Sequence, residues 1–316
     1  MIEAVLIAGP TASGKSAAAI ALARKIGGAI VNADSMQVYS ELSLLSARPC
    51  PEDEKQAPHR LYGFVSVREA FSVAKWAAAA KLTLAQLKAE RLIPIVTGGT
   101  GLYFFALEKG LSPVPEVHAE LRVQVRQRYA ELGPERFYAE LAARDPLTAA
   151  QLNPADGQRV IRAFEVLEQT GQPLAEWQAV KGTPLIDPAR CLRLVIRPNR
   201  DWLYQRCDAR FGQMMAHGAL DEARRIAAMA LDPSLPASRA LGLGYLIRHL
   251  AGELSLDAAV FEAKRDTRRY AKRQMTWFRH QMPDWHAVAA QGGQGLESAL
   301  LSLAGAAGLD AVQRNG

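Results

Sequence analysis

The chain has 316 residues, 49% hydrophobic and 22% charged, enough apolar material for about two packed domains and too much for disorder to dominate. Three cysteines, Cys50, Cys191 and Cys207, with no CxxC pair, exclude a disulfide scaffold and a cysteine-built zinc site. The net charge of +6 suits a polyanionic partner without defining one.

Ala4-Val5-Leu6-Ile7-Ala8 is a short unbroken apolar run that ends in Gly9-Pro10 and gives way to an Ala-rich helical stretch over 16–25, the pattern of a buried parallel strand feeding a helix. Residues 29–33 read as a second strand ending at Asp34-Ser35. A helix over about 72–90 leads to a third strand, 92–97, which stops at Gly98-Gly99-Thr100-Gly101. Strands alternating with helices imply a parallel α/β sheet, whose ligands bind in the loops beyond the carboxyl ends of the strands.

From 116 to 189 only helical periodicity remains, broken at Gly133-Pro134, Asp145-Pro146, Asn153-Pro154, Gly171-Gln172-Pro173 and Gly182-Thr183-Pro184. Residues 191–196 resemble one more sheet strand. The expected organisation is therefore a P-loop parallel-sheet core over 1–115 and 190–290, an all-helical domain inserted at 116–189, a helical C-terminal part, and a weakly ordered Gly- and Ala-rich tail over 291–316. No apolar run reaches the roughly 18–20 residues of a membrane span, and Glu3 stands where a secretory signal would be basic. A cytoplasmic protein without membrane contact is expected.

Gly9-Pro10-Thr11-Ala12-Ser13-Gly14-Lys15-Ser16 fits G-x-x-x-x-G-K-[ST] between a predicted strand and a predicted helix, the context that this nucleotide- and ATP-binding motif requires. Backbone N–H groups of the turn and of the helix N-terminus converge on phosphate oxygens. Lys15 adds a charge, and the Ser16 hydroxyl is a ligand for Mg²⁺. A di- or triphosphate is the expected ligand. The third strand supplies no acid at its end; the carboxylate at a strand end is Asp34, open to three readings as general base, metal ligand or helix cap.

Six motifs taken together resemble the tRNA dimethylallyltransferases (isopentenyl-diphosphate:tRNA transferases): the P-loop at 9–16, Asp-Ser-Met-Gln-Val-Tyr at 34–39, Gly-Gly-Thr-Gly-Leu-Tyr at 98–103, Gly-Leu-Ser-Pro-Val-Pro at 110–115, Arg-Asp-Trp-Leu-Tyr-Gln-Arg at 200–206, and Ala-Lys-Arg-Gln-Met-Thr-Trp-Phe at 271–278. The resemblance spans residues 4 to about 281. It implies that the P-loop holds the diphosphate of dimethylallyl diphosphate with Mg²⁺ at Ser16, and that N6 of an adenosine in the tRNA anticodon loop attacks the allylic carbon. Asp34 would take the N6 proton. Lys15 and the candidate arginines Arg206 and Arg210 would stabilise the departing diphosphate.

The same resemblance places Thr100 against the target nucleotide and implies RNA contacts from Asp34, Ser35, Met36 and Gln37, from Arg122, from Gln158, Arg159, Val160, Ile161 and Arg162, and from Arg239 and Gly242. This chain departs from the family pattern in Leu45-Ser46-Ala47-Arg48-Pro49, beside the pocket, and at Leu243. No Cys/His cluster follows the basic helix, so the zinc finger of some eukaryotic relatives is not expected here. A monomer is expected.

Residues 264–280 hold seven lysines and arginines against the single Asp266, a surplus equal to the net charge of the whole chain. At helical spacing Arg265, Arg268, Arg269, Lys272 and Arg279 share one side, with Tyr270, Gln274, Trp277 and Phe278 on the other. Arg268, Arg269 and Lys272 are read as a footprint for RNA phosphates, against the alternative of a solvated basic face. Two enzyme alternatives remain: an isopentenyltransferase acting on free AMP, and a P-loop small-molecule kinase. A third, of another class, is an RNA-binding protein with a degenerate phosphate site.

Overall fold

The computed structural model describes residues 2–290 and 293–309. They form two compact units, one made of the chain up to Glu108 together with the chain from Leu185 onward, the other of Lys109–Pro184.

The larger unit is built on a parallel sheet. Its strands are β1 (Ala4–Ala8), β2 (Gly28–Asn32), β3 (His59–Arg60), β4 (Ile93–Gly98), β5 (Cys191–Pro198) and β6 (His286–Ala290), in the spatial order β3-β2-β4-β1-β5-β6. β1 pairs with β4 on one side (Ile7 opposite Thr97) and with β5 on the other (Ile7 opposite Leu194). The chain leaves β1 toward β2 and later crosses to β5 on the opposite side, so the carboxyl end of β1 is the switch point where α/β sheets open a crevice.

All five residues of β1 are buried, as expected for a strand covered on both faces. Val5 and Ile7 pack with α1 (Lys15–Ile26) on one face. Leu6 and Ala8 pack on the other, with Trp76 of α3 (Val73–Ala89) and Phe104 of α4 (Gly101–Lys109). The short α2 (Pro51–Glu54) precedes β3. Each fully buried Leu or Ile of this kind contributes about 1.5–3 kcal/mol of transfer free energy. After β5 come α9 (Arg200–Ala216), α10 (Ala219–Ala228), α11 (Leu243–Leu250) and the 26-residue α12 (Leu256–Gln281).

The helical unit contains α5 (Ala119–Arg144), α6 (Pro146–Ala149), α7 (Gly157–Thr170) and α8 (Leu174–Ala179). The break expected at Gly133-Pro134 is present: Gly133 has φ 74°, ψ 166° and divides α5 into two helical stretches. Asp145 and Asp156 cap α6 and α7 by accepting the N–H of Thr148 and of Arg159. The core is Val125, Phe137, Leu141, Val160, Phe164 and Leu167. This unit begins and ends earlier than the expected 116–189 because the backbone at Gly110 lies against that at Gly182 and Thr183, closing the insertion there.

β6, which ends just before the expected tail, pairs in register with β5, Leu194 opposite His286. Part of the expected tail is ordered structure, the helix α13 (Gly293–Ala306). Leu296, Leu300 and Ala304, four residues apart, are buried in the cluster that includes α1. Residues 291–292 and 310–316 lie outside the described residues.

Candidate active site

The loop between β1 and α1 is held by its own turns. Ser13 N–H donates to the Pro10 carbonyl, and Gly9 N–H reaches the Gly98 carbonyl at 3.2 Å. Gly14, at φ 87°, occupies the left-handed region from which α1 starts, a conformation that a side chain disfavours. α1 begins at Lys15, so its first amides have no partners within the helix and, with the macrodipole, favour an anion.

Three cations rest on the oxygens of this loop. Lys15 Nζ donates to the Pro10 carbonyl at 3.2 Å. Arg206 and Arg210, one turn apart on α9, donate from Nε to the Ala12 carbonyl at 3.0 Å and from Nη2 to Thr11 Oγ1, respectively. The two candidate arginines therefore both touch the loop; Arg206 also stacks over Trp202. Burial lowers Lys15 to about 8, with Asp34 pulling it up and Arg210 pushing it down. Burial likewise holds Arg210 below the usual guanidinium value, with Asp34 again in its field.

Asp34 is thus close enough to the loop to act electrostatically on two of its three cations. Its position is set by the fully buried Asn32 at the end of β2, whose Oδ1 accepts the Asp34 N–H at 2.8 Å and whose Nδ2 donates to the carbonyls of Asp34 and Leu61. Asp34 Oδ1 accepts the Met36 N–H at 2.9 Å in a local turn, and no helix follows it, so of the three readings the helix cap is not met. The phenols of Tyr62, Tyr103 and Tyr270 are raised first by burial and then by the negative charge of Asp34. Ser35 N–H donates to Thr100 Oγ1, joining the turn after β2 to the turn after β4.

Two residues of α12 complete this surface without having been expected there. Gln274, buried, accepts the Thr11 N–H on Oε1 at 2.9 Å and donates from Nε2 to the Gly99 carbonyl at 2.8 Å. Tyr270, one helical turn before Gln274, lines the same cavity as Gln274 and Thr100. Gly99, Thr100, Tyr270, Arg273, Gln274 and Trp277 line a cavity of about 220 Å³. A larger groove of about 610 Å³ continues along α12 past Arg269, Lys272, Thr276 and His280. The sequence signal for Gln274 was a polar residue on the apolar side of an amphipathic helix.

Several expected RNA contacts have other partners. Arg268 is engaged by Asp208 through Nη1 at 2.6 and 2.7 Å, which takes it out of a free phosphate-binding face. Val160 is 1% exposed in the helical core. Gly242 is buried, has φ 84°, and has no room for a Cβ against Phe211. Gln37 donates to the carbonyls of Ser46 and Ala47, and Met36 packs on the core. In contrast Arg239, Arg269 and Lys272 are exposed. In the helical unit Gln158 and Arg159 are exposed, Arg122 and Arg162 are half-buried and paired with Glu116 and Glu165, and Ile161 packs at the edge of the core.

A glycine-rich loop between β1 and α1, with two arginines upon it and Asp34 in the field of its cations, defines a P-loop α/β protein. The family model described as IPP transferase matches residues 37–281, beginning just beyond Asp34. The chain is 53% identical over 287 residues to the curated tRNA dimethylallyltransferase of Rhodopseudomonas palustris (strain BisB18), with 91% of each chain covered. It is 47% identical over 300 residues to that of Parvibaculum lavamentivorans (strain DS-1), with 95% of each covered. The full-length tRNA isopentenylpyrophosphate transferase of Bacillus halodurans superposes with a TM-score of 0.69 at 28% identity, covering 96% of each chain. A eukaryotic dimethylallyltransferase acting on tRNA shares the fold, with a TM-score of 0.81 at 23% identity over 99% of this chain and 82% of that one. The chain belongs to the IPP transferase family.

Proposed function

We propose that this chain transfers the dimethylallyl group of dimethylallyl diphosphate to N6 of an adenosine in the tRNA anticodon loop, with Asp34 as the base. The observation that carries the assignment of roles is the common field of Asp34, Lys15 and Arg210. The N6 lone pair forms the C–N bond to the allylic carbon. The C–O bond to diphosphate breaks with its electron pair on the leaving oxygen, and the N6 proton passes to the Asp34 carboxylate.

The loop amides, Lys15, Arg206 and Arg210 receive the charge that grows on the diphosphate, as preorganised donors do at any developing anion. These cations donate to Pro10, Ala12 and Thr11. Binding of a diphosphate would redirect some of these donors to the ligand. Ser13 Oγ, buried and without a partner, is a further donor to the cradle.

Among the described residues no three His, Cys, Asp or Glu side chains form a metal cluster, whereas the exposed Ser16 hydroxyl lies in the first turn of α1. A hard hydroxyl oxygen at a phosphate cradle fits Mg²⁺, which is commonly held by few protein oxygens and completed by phosphate and water. Ser16 would hold the ion, which when bound neutralises diphosphate charge.

For the RNA we assign Ser35 and Thr100 to the target nucleotide, the exposed Arg239, Arg269 and Lys272 to phosphates, and Arg122, Gln158, Arg159 and Arg162 to a clamp on the anticodon stem-loop. Reaching N6 requires the base to leave the stack. No described helix is long and apolar enough to cross a membrane. The three cysteines are unpaired, as a reducing cytoplasm would leave them, and we take the protein to act there as a monomer.

The test is incubation with radiolabelled dimethylallyl diphosphate and either unmodified tRNA or AMP, beside a γ-labelled ATP arm. Label in tRNA supports the reading. Label in AMP, or phosphate transfer from ATP, overturns it.

A further inference from the structure

We infer that Gln274 is a positioning residue that sets the separation between the diphosphate cradle and the turn carrying the acceptor side of the reaction. The inference rests on the prenyl-transfer reading and adds a group that does not itself touch the reacting atoms. The cradle follows β1, whereas Thr100 follows β4 and Asp34 follows β2. An in-line displacement needs the attacking nitrogen, the allylic carbon and the leaving oxygen to stay aligned, so the loops that hold the two ends cannot drift apart.

The sheet fixes the bases of these loops through Gly9 N–H to Gly98, Ala33 N–H to Thr97 and Thr100 N–H to Ala33. It does not reach their tips. Gln274 does: one amide group takes the Thr11 N–H and gives an N–H to the Gly99 carbonyl, spanning the two tips from a third element. The fit leaves no slack, since a Cβ on Gly99 would lie 2.2 Å from Gln274 Nε2. Thr100, the residue after Gly99, accepts the N–H of Ser35, the neighbour of Asp34, so the bridged turn is joined to the acid's turn. α12 is already anchored by Ala263, Ala271 and Phe278, all buried, so its docking does not depend on this amide alone.

Two variants of the full chain test this. Gln274→Met keeps the volume and removes both bonds. Gln274→Glu keeps the acceptor for Thr11 and can donate to Gly99 only when its carboxyl is protonated. The expected result for Gln274→Met is a kcat about a hundredfold lower, as for a small misplacement of reacting groups, with donor KM and tRNA affinity near the parent's. For Gln274→Glu the ratio of its kcat to the parent's should climb as the pH falls. Parental kcat in Gln274→Met, or a ratio independent of pH in Gln274→Glu, overturns the role. Failure of both variants to fold also overturns it, since the amide is then structural. A parent that transfers no label removes the functional reading itself, whereas an active parent beside unimpaired variants removes only the positioning role.

Discussion

Ser35 donates its backbone N–H to Thr100 Oγ1 at 2.9 Å, so a residue adjacent to the candidate base and a residue of the β4 turn are fixed to one another across 65 positions of sequence. Thr100→Val removes that acceptor at nearly constant volume. We expect a stability loss of about 1 kcal/mol from the unpaired N–H. The transfer rate should fall roughly tenfold or more as the turn relaxes. Thr100→Ser should restore both, as read by urea denaturation and single-turnover labelling.

Asn32 has a larger structural share, because its side chain is wholly buried and makes three hydrogen bonds, to Asp34 N, Asp34 O and Leu61 O. Asn32→Leu strands all three backbone groups. A loss of about 3 kcal/mol is expected, visible as a lowered urea midpoint with little change in slope. Parental stability would show that the Asp34 turn is held by other contacts.

The pH dependence of donor binding follows from Lys15. Burial sets its folded value at about 8, below its ordinary 10.5. Between those values the unfolded chain holds the proton longer, so this group favours folding increasingly as pH rises. Binding runs the opposite way, because the charged ammonium attracts the anion. Pyrophosphate affinity, measured by calorimetry, should weaken as pH climbs through about 8, with proton uptake on binding above it. Lys15→Met should bind more weakly and lose that component.

The basic face of α12 is divided by its partners. Arg268 is held by Asp208, whereas Arg269 is 60% exposed and Lys272 is also exposed. Neutralising Arg269, Lys272 and Arg273 together should weaken tRNA binding and flatten its logarithmic salt slope by about 1 per lost contact. Arg268→Ala should leave the slope unchanged and lower the thermal midpoint. An unchanged slope in the triple variant would remove this face from the RNA footprint.

Local sequence carried much of this architecture. Ala4–Ala8 followed by Gly9 and Lys15 specifies a strand, a cradle and a helix within some twenty residues, and Gly133, Asp145 and Asp156 mark helix ends by conformational and capping preferences that operate locally. Gln274 was not legible as a site residue, because its partners Thr11 and Gly99 lie 263 and 175 positions away and no local pattern encodes such pairing. β6 was hidden for a related reason. His-Ala-Val-Ala-Ala is a half-exposed edge strand of weak intrinsic preference, and pairing with β5 supplies its order. The spacing of Leu296, Leu300 and Ala304 did carry a helical signal, within a segment whose composition suggested disorder.

The central claim is that Asp34 accepts the proton while the loop retains the diphosphate. It is tested most directly by Asp34→Asn in single-turnover transfer of labelled dimethylallyl to unmodified tRNA, with pyrophosphate and tRNA binding measured on the same preparation. The account expects binding near the parent's and a transfer rate lower by about a hundredfold to ten-thousandfold. Transfer at close to the parental rate, with binding intact, would contradict it.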